Sequence, residues 1–390
     1  MGLFDFLKPK PKPQPTPNPT PNVEVTVRIP TPTDIKRQQE DAILEIRRLR
    51  KAAYPSANGL KPHEIMLLSY APRYKTSGNT FPQFWRYEYA IENPQKLLDE
   101  LAAKGFIRES TAAESLNALK VAELKEILSS RGLKTTGKKA DLISRTVEAF
   151  TEEELGQFIP ARQYALTELG ARELEENQYV TYFGYHVKYG LTVWLMNLML
   201  RDYPKKLWRD KIWAELNRRL QAASEEIDQS LSYDNYERVR GEMCAFLMEE
   251  GQHPEAAFEA LNESTYLQCC LIQPYSFLYR YAYYSDVGKR DENSEPKFEI
   301  FIEKRQYFAI QEAMEFSDER MTQALLNAFS GSYARDEAFE RYRVPKDLFS
   351  AADLATLIMA EIAEDDETAE RIRLGAENRL KKLKPTWKWS

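Results

Sequence analysis

Lys134, Lys138 and Lys139 fall close together around Thr135-Thr136-Gly137, with Arg131 just before them and Arg145 just after. Cations, hydroxyls and a glycine at the start of an apolar-periodic stretch are the materials of an anion site. The first N–H groups of a helix have no partner inside it and point outward. The helix dipole adds positive potential at that end. A phosphate backbone is the polyanion that fits such a tip, and contacts of this kind position a protein while carrying little sequence information. The candidate contact residues are therefore Arg131, Lys134, Thr135, Thr136, Gly137, Lys138, Lys139 and Arg145. With about four or five phosphates neutralised, log affinity is expected to fall against log salt with a slope near −4. The same residues also suit a small hairpin whose lysines only keep it soluble.

Other chemistries find little material. The three cysteines form no CxxC, and the three histidines are scattered, which argues against a disulfide framework, a structural zinc site or a histidine-based centre. Cys269-Cys270 sits in an apolar stretch and reads as packing. Glu249, Glu250, Asp365, Asp366 and Glu367 lack metal-ligand spacing. There is no Walker loop, GxGxxG or GxSxG. No catalytic residue, metal or cofactor is expected.

The elements that must hold the cationic tip lie in residues 116–150. Val121, Leu124, Ile127 and Leu128 are spaced for one buried helix face. Gly132 ends that helix, Leu133 anchors the loop and Gly137 permits a tight turn. A second helix buries Leu142, Ile143 and Val147. The Leu-x-x-Leu-Lys pattern, the Arg131-Gly132-Leu133 turn and the closure Thr136-Gly137-Lys138-Lys139-x-x-Leu142-Ile143 resemble the SAP motif. That module of about thirty-five residues occurs in chromatin, repair and phage-associated bacterial proteins. The resemblance implies binding to nucleic acid, usually double-stranded DNA with weak sequence preference. Residues 116–150 hold seven Lys and Arg against four Asp and Glu, a net of +3.

The chain as a whole is acidic, at −6, yet residues 1–145 carry 24 Lys and Arg against 16 Asp and Glu. That is +8, leaving −14 for the remainder, a division expected when one part meets polyanions and another does not. The opening Met-Gly-Leu-Phe-Asp-Phe-Leu has no basic leader, and Phe6 breaks the myristoylation pattern. From Pro9 to Pro21 every second residue is proline, so residues 1–32 are expected to form a disordered, extended tether. It would hold Leu3, Phe4, Phe6 and Leu7 away from the body. Thr33 and Asp34 can cap a helix whose apolar face is Ile35, Ile43, Ile46 and Leu49. Its late cations, Arg47, Arg48, Arg50 and Lys51, suit the helix dipole and could touch phosphates.

Asn93-Pro94 starts a helix carrying Leu97, Leu98 and Leu101, closed at Lys104-Gly105 and followed by a strand from Phe106. Much later Tyr164-x-Leu166-Thr167-x-x-Gly170-x-x-x-Leu174 reads as a strand running into a capped helix. Together these resemble the two halves of a winged helix-turn-helix domain, with the SAP motif inserted where a wing is normally short. The outward positions of the would-be recognition helix, Gln95, Lys96, Asp99, Glu100 and Lys104, include two acids. That favours scaffolding or protein docking over base reading.

From residue 179 onward helical periodicity dominates. Residues 240–270, with small residues and a Gly251-x-x-x-Glu255-Ala256 turn, resemble one tetratricopeptide-type hairpin, but no second copy follows at that period. Lys381, Lys382 and Lys384 with Trp387 and Trp389 make a basic-aromatic tail that could stack on bases or pack on the body. The apolar run from Tyr179 to Leu200 is interrupted by His186, Lys188 and Asn197, too short to span a bilayer.

The expected organisation is mostly α. A winged-helix-like domain (33–113 and 151–178) carries an inserted helix-loop-helix SAP motif (114–150). An acidic all-α domain (179–390) follows, with the repeat-like hairpin near 236–270. The chain is similar to SAP-containing proteins of bacteria and their phages and is expected in the cytoplasm. Its expected partners are double-stranded DNA, bound without specificity, and a protein held by the helical C-terminal domain. The alternative is a protein-interaction scaffold in which the SAP fold is purely structural.

Overall fold

A computed structural model describes residues 32–159, 162–286 and 296–383. The proline-rich tail, Lys384, Trp387 and Trp389 lie outside them. The described residues are mostly helical, with one two-stranded sheet.

The capping chemistry at Asn93 acts as its sequence predicts. The Asn93 side chain accepts from the Lys96 N–H at 3.0 Å, and Pro94 fills the first turn of the Pro94–Ala103 helix. Leu97, Leu98 and Leu101 are buried. Gly105 turns the chain at φ +80°, which only glycine adopts without strain. The strand Ile107–Glu109 then pairs antiparallel with Tyr164–Leu166, setting Ile107 opposite Leu166 and Glu109 opposite Tyr164. Thr167 caps the helix Glu168–Glu176 by accepting from the Gly170 N–H at 3.1 Å, and its hydroxyl donates to the Gly105 carbonyl at 2.7 Å. Residues 110–163 leave and return through this stem. A neighbouring loop widens it: Tyr164 N–H donates to the Tyr74 carbonyl, and Thr76 N–H to that of Arg162.

Two apolar clusters form. The larger draws on residues from Ala53 to Ile107 and from Tyr164 to Leu380, crossing residues 178 and 179, and includes Trp85, Tyr89, Tyr179, Phe183, Phe277 and Tyr307. The smaller contains Ala112, Leu116, Leu124, Ile127, Leu128, Leu142, Phe150, Leu155 and Ile159. The looped-out segment thus has its own core, extending on both sides of residues 114–150. So small a core supplies modest stability, and the stem contributes to holding it.

The N-terminal helix Pro32–Ala52 docks its cationic end on the body. Arg47 and Arg86 both pair with Glu92, at 2.7 and 3.4 Å, and Arg50 donates to the Ala90 carbonyl at 2.8 Å. His63 is buried, and burial, with Arg50, Lys61 and Lys104 nearby, lowers its pKa to about 3. It is a neutral packing group at ordinary pH.

The apolar run from Tyr179 to Leu200 folds as two short helices, Gln178–Phe183 and Val193–Met199. Among the described residues no helix is long and apolar enough to cross a membrane. Asp234–Glu250 and Pro254–Leu267 form a helical hairpin turned at Gly251, φ +66°. The π-helical turn Gln268–Ile272 that follows buries Cys269 and Cys270. Burial raises the Cys244 and Cys269 thiols to about 12, so they are protonated packing groups.

Candidate nucleic-acid interface

The first helix of the hairpin, Val121–Ser130, starts where the Lys120 N–H donates to the Glu123 carboxylate at 2.5 Å. It buries Leu124, Ile127 and Leu128. Val121, expected on that face, is exposed because it is the first helical residue, at the rim of a small core. The helix ends in a paired closure. With Gly132 at φ +67°, its N–H donates to the Ser129 carbonyl at 2.9 Å and the Leu133 N–H to that of Leu128 at 3.0 Å. This is the Schellman arrangement, and it returns Leu133 to the core.

Gly137 has φ +132°, and a Cβ there would meet the Asp141 carboxylate at 3.2 Å. That carboxylate accepts from the Lys138 N–H at 3.0 Å, opening the second helix, Lys139–Ala149. Leu142 and Thr146 face inward. Val147, expected to be buried, is exposed. Helical geometry explains the exchange: four residues from Leu142 returns to the same face and five does not. The Thr146 hydroxyl is satisfied by the Leu142 carbonyl at 2.8 Å.

The eight candidate residues divide by what they touch. Arg131 works inside the protein. Its guanidinium lies 4.3 Å over the Phe150 ring, pairs with Glu154 and donates to the Ala149 carbonyl. It thereby clamps the hairpin to the next helix, Glu152–Phe158. Arg145 donates to the carbonyls of Lys134 at 2.5 Å and Thr136 at 3.3 Å, fixing the loop from beneath. Lys139 Nζ donates to the Asn117 carbonyl at 2.7 Å. Thr135 is half-buried and Thr136 exposed. Lys134 and Lys138 are exposed, and among the described residues neither ammonium has a hydrogen-bond or ion-pair partner.

Lys138 is also the residue at which a helix usually places a hydroxyl or carboxylate cap. The helices beginning after Thr111, Thr151, Thr167 and Thr192 are capped by threonine side chains. Lys138 has no acceptor to offer, so the first-turn N–H groups lack a side-chain cap. Uncapped amides, two unpartnered ammonium groups and the nearby Lys139 therefore share one tip. Asp141 is the carboxylate on its flank.

Two charged brackets hold the root of this segment. Arg108 makes a two-pronged pair with Glu114, at 2.7 and 2.8 Å. The Arg108 guanidinium and the Thr111 amide lower the Glu114 pKa to about 2. Glu152 accepts from the Ala112 and Ala113 amides at 2.6 and 3.2 Å and pairs with Arg162 at 3.1 Å. These amides, the Ala112 N–H foremost, hold its carboxyl below the usual range. The Glu152 carboxylate reaches amides 40 and 39 positions away, and charge order along the chain does not reveal those bonds.

The outward residues of the Pro94–Ala103 helix bond to one another and to neighbouring elements. Gln95 Nε2 donates to Asp99 at 3.0 Å and to the Tyr164 hydroxyl at 2.9 Å, while Asn79 donates to Gln95 at 2.9 Å. Lys104 pairs with Glu64 at 3.1 Å, and Lys96 lies 3.9 Å from Glu100.

Residues 115–151 match the SAP domain, so the helix-loop-helix carrying this tip is a SAP domain within a longer helical protein. No curated protein and no solved structure matches the chain. The SAP domain supports a general nucleic-acid-associated or adaptor role, and such domains are generally non-catalytic. Among the described residues no group of three or more His, Cys, Asp or Glu is placed to hold a metal ion.

Proposed function

We propose that the chain is a non-enzymatic adaptor that grips the phosphate backbone of double-stranded DNA through its SAP tip, with little sequence reading, while its helical body binds a protein partner. One observation carries this: among the described residues Lys134 and Lys138 have no partner, and they stand beside an uncapped helix start. Lys139, Thr136 and the first-turn amides after Lys138 complete the grip. Arg131 and Arg145 belong to its foundation. The Pro94–Ala103 helix, the two strands and the Glu168–Glu176 helix act as a winged-helix-like mount, in which the SAP domain occupies the place of the wing tip. The internal bonds of Gln95 and Asp99 support a mounting role over base reading.

Fluorescence anisotropy with a short duplex at increasing salt tests the grip. With Arg131 and Arg145 engaged internally, about three phosphate contacts remain, and the slope of log affinity against log salt should be near −3. Binding that ignores salt, or no binding at low salt, would contradict it. No binding at low salt would leave a scaffold in which the SAP fold is structural. The internal roles of Arg131 and Arg145 are the observation on that side.

A further inference from the structure

Residues 297–303 read Lys-Phe-Glu-Ile-Phe-Ile-Glu. Phe298 and Ile300 are buried and Ile302 is half-buried, while Lys297, Glu299, Phe301 and Glu303 face solvent. This is the period-two pattern of a strand with one wet face. It begins at Pro296, where a strand tolerates proline. Yet no other strand pairs with it among the described residues.

Its two edges differ. The Phe298 N–H donates to the Glu377 carboxylate, on the helix Asp366–Lys381, at 3.0 Å. Hydrogen-bonding groups alternate sides along extended backbone, so the groups of Glu299 and Phe301 point the other way. Among the described residues their N–H groups have no partner. Phe301 on this segment is 71% exposed. An open strand edge with exposed apolar side chains is a template for another strand.

We infer that this edge pairs with the same edge of a second copy, antiparallel and centred on Ile300. Charge selects both the occupant and the register. Residues directly opposite in an antiparallel pair share a face. Centring on Glu299 would oppose it to the partner's Glu299. Centring on Phe301 would oppose Glu299 to the partner's Glu303. Centring on Ile300 sets Lys297 against the partner's Glu303, and Glu303 against the partner's Lys297, with no like charges opposed. Neither side chain has an ion-pair partner in its own chain among the described residues. Glu299 and Phe301 would exchange backbone hydrogen bonds with the partner's Phe301 and the partner's Glu299. The two Phe301 rings would lie diagonally across the twofold axis, within reach of aromatic side chains.

Sedimentation velocity on the full chain, with no nucleic acid present, reads this independently of DNA binding. Dimerisation in the micromolar range is expected. Lys297→Glu or Glu303→Lys alone creates two like-charge oppositions per dimer and should weaken it at least about tenfold. The double reversal should restore it to within about threefold. Lys297→Glu alters an exposed, unpaired side chain, so its thermal unfolding should match the parent; Glu303 precedes the helix Lys304–Ala313, so Glu303→Lys and the double reversal should share one small loss of stability. A parent that stays monomeric at about 100 μM, single reversals that dimerise like the parent, or a double reversal that fails to recover would each overturn the inference.

Discussion

Lys134→Glu combined with Lys138→Glu is expected to weaken binding to a short duplex by at least about a hundredfold near 0.1 M salt. Each phosphate contact contributes about 0.9 to the slope against log salt, so at 0.1 M two lost contacts remove nearly two orders of magnitude. Reversing the charges adds repulsion to that loss. The corresponding glutamine pair, which removes charge without reversing it, should fall somewhat short of the glutamate pair. Among the described residues neither ammonium has a partner, so circular dichroism and thermal unfolding should be unchanged in both. That separates the pair from Arg131, whose replacement would loosen its contacts with Phe150, Glu154 and the Ala149 carbonyl. Full affinity retained by the glutamate pair would mean that duplex, if bound, is held elsewhere.

Gly170→Ala should produce the largest loss of stability, about 3 kcal/mol or more. A Cβ at this position would sit 2.1 Å from the Phe106 carbonyl oxygen and 3.1 Å from its carbon. These are backbone atoms, and no side-chain rotamer relieves the overlap. The same carbonyl accepts from the Thr167 N–H at 3.0 Å. Separating helix from strand would break that bond and strain the pairing of Ile107 with Leu166. Gly137→Ala is a useful contrast, since its Cβ would meet a carboxylate side chain that can swing aside. Its left-handed φ still carries a cost, of about 1 kcal/mol. Urea unfolding of the two variants measures the difference. A change below about 1 kcal/mol for Gly170→Ala would mean that the junction yields easily.

Local chemistry explains which parts of this architecture can be read from the chain. The Asn93 cap, the Gly105 and Gly132 closures and the Thr167 cap each depend on residues within a few positions of one another, and all form as expected. The SAP domain is legible for the same reason. Periodicity fails at the rims: Val121 and Val147 fit an apolar pattern but lie where the small core has ended. Residue type alone cannot separate a free cation from an engaged one. Arg131 and Arg145 look like phosphate ligands until Glu154 and the loop carbonyls claim them. The alternating segment 297–303 has a plain strand pattern within a chain whose other signals are helical. That no strand pairs with it among the described residues emerges only from the fold.

The proposed grip consists of the amides and ammonium groups around Gly137, and amide chemical-shift mapping observes them without mutation. An isotope-labelled chain titrated with a short duplex at low salt should show its largest shifts at residues 134–140, with the amides of the 234–267 hairpin unmoved. Shifts centred on another surface, or none at saturating duplex, would contradict the account.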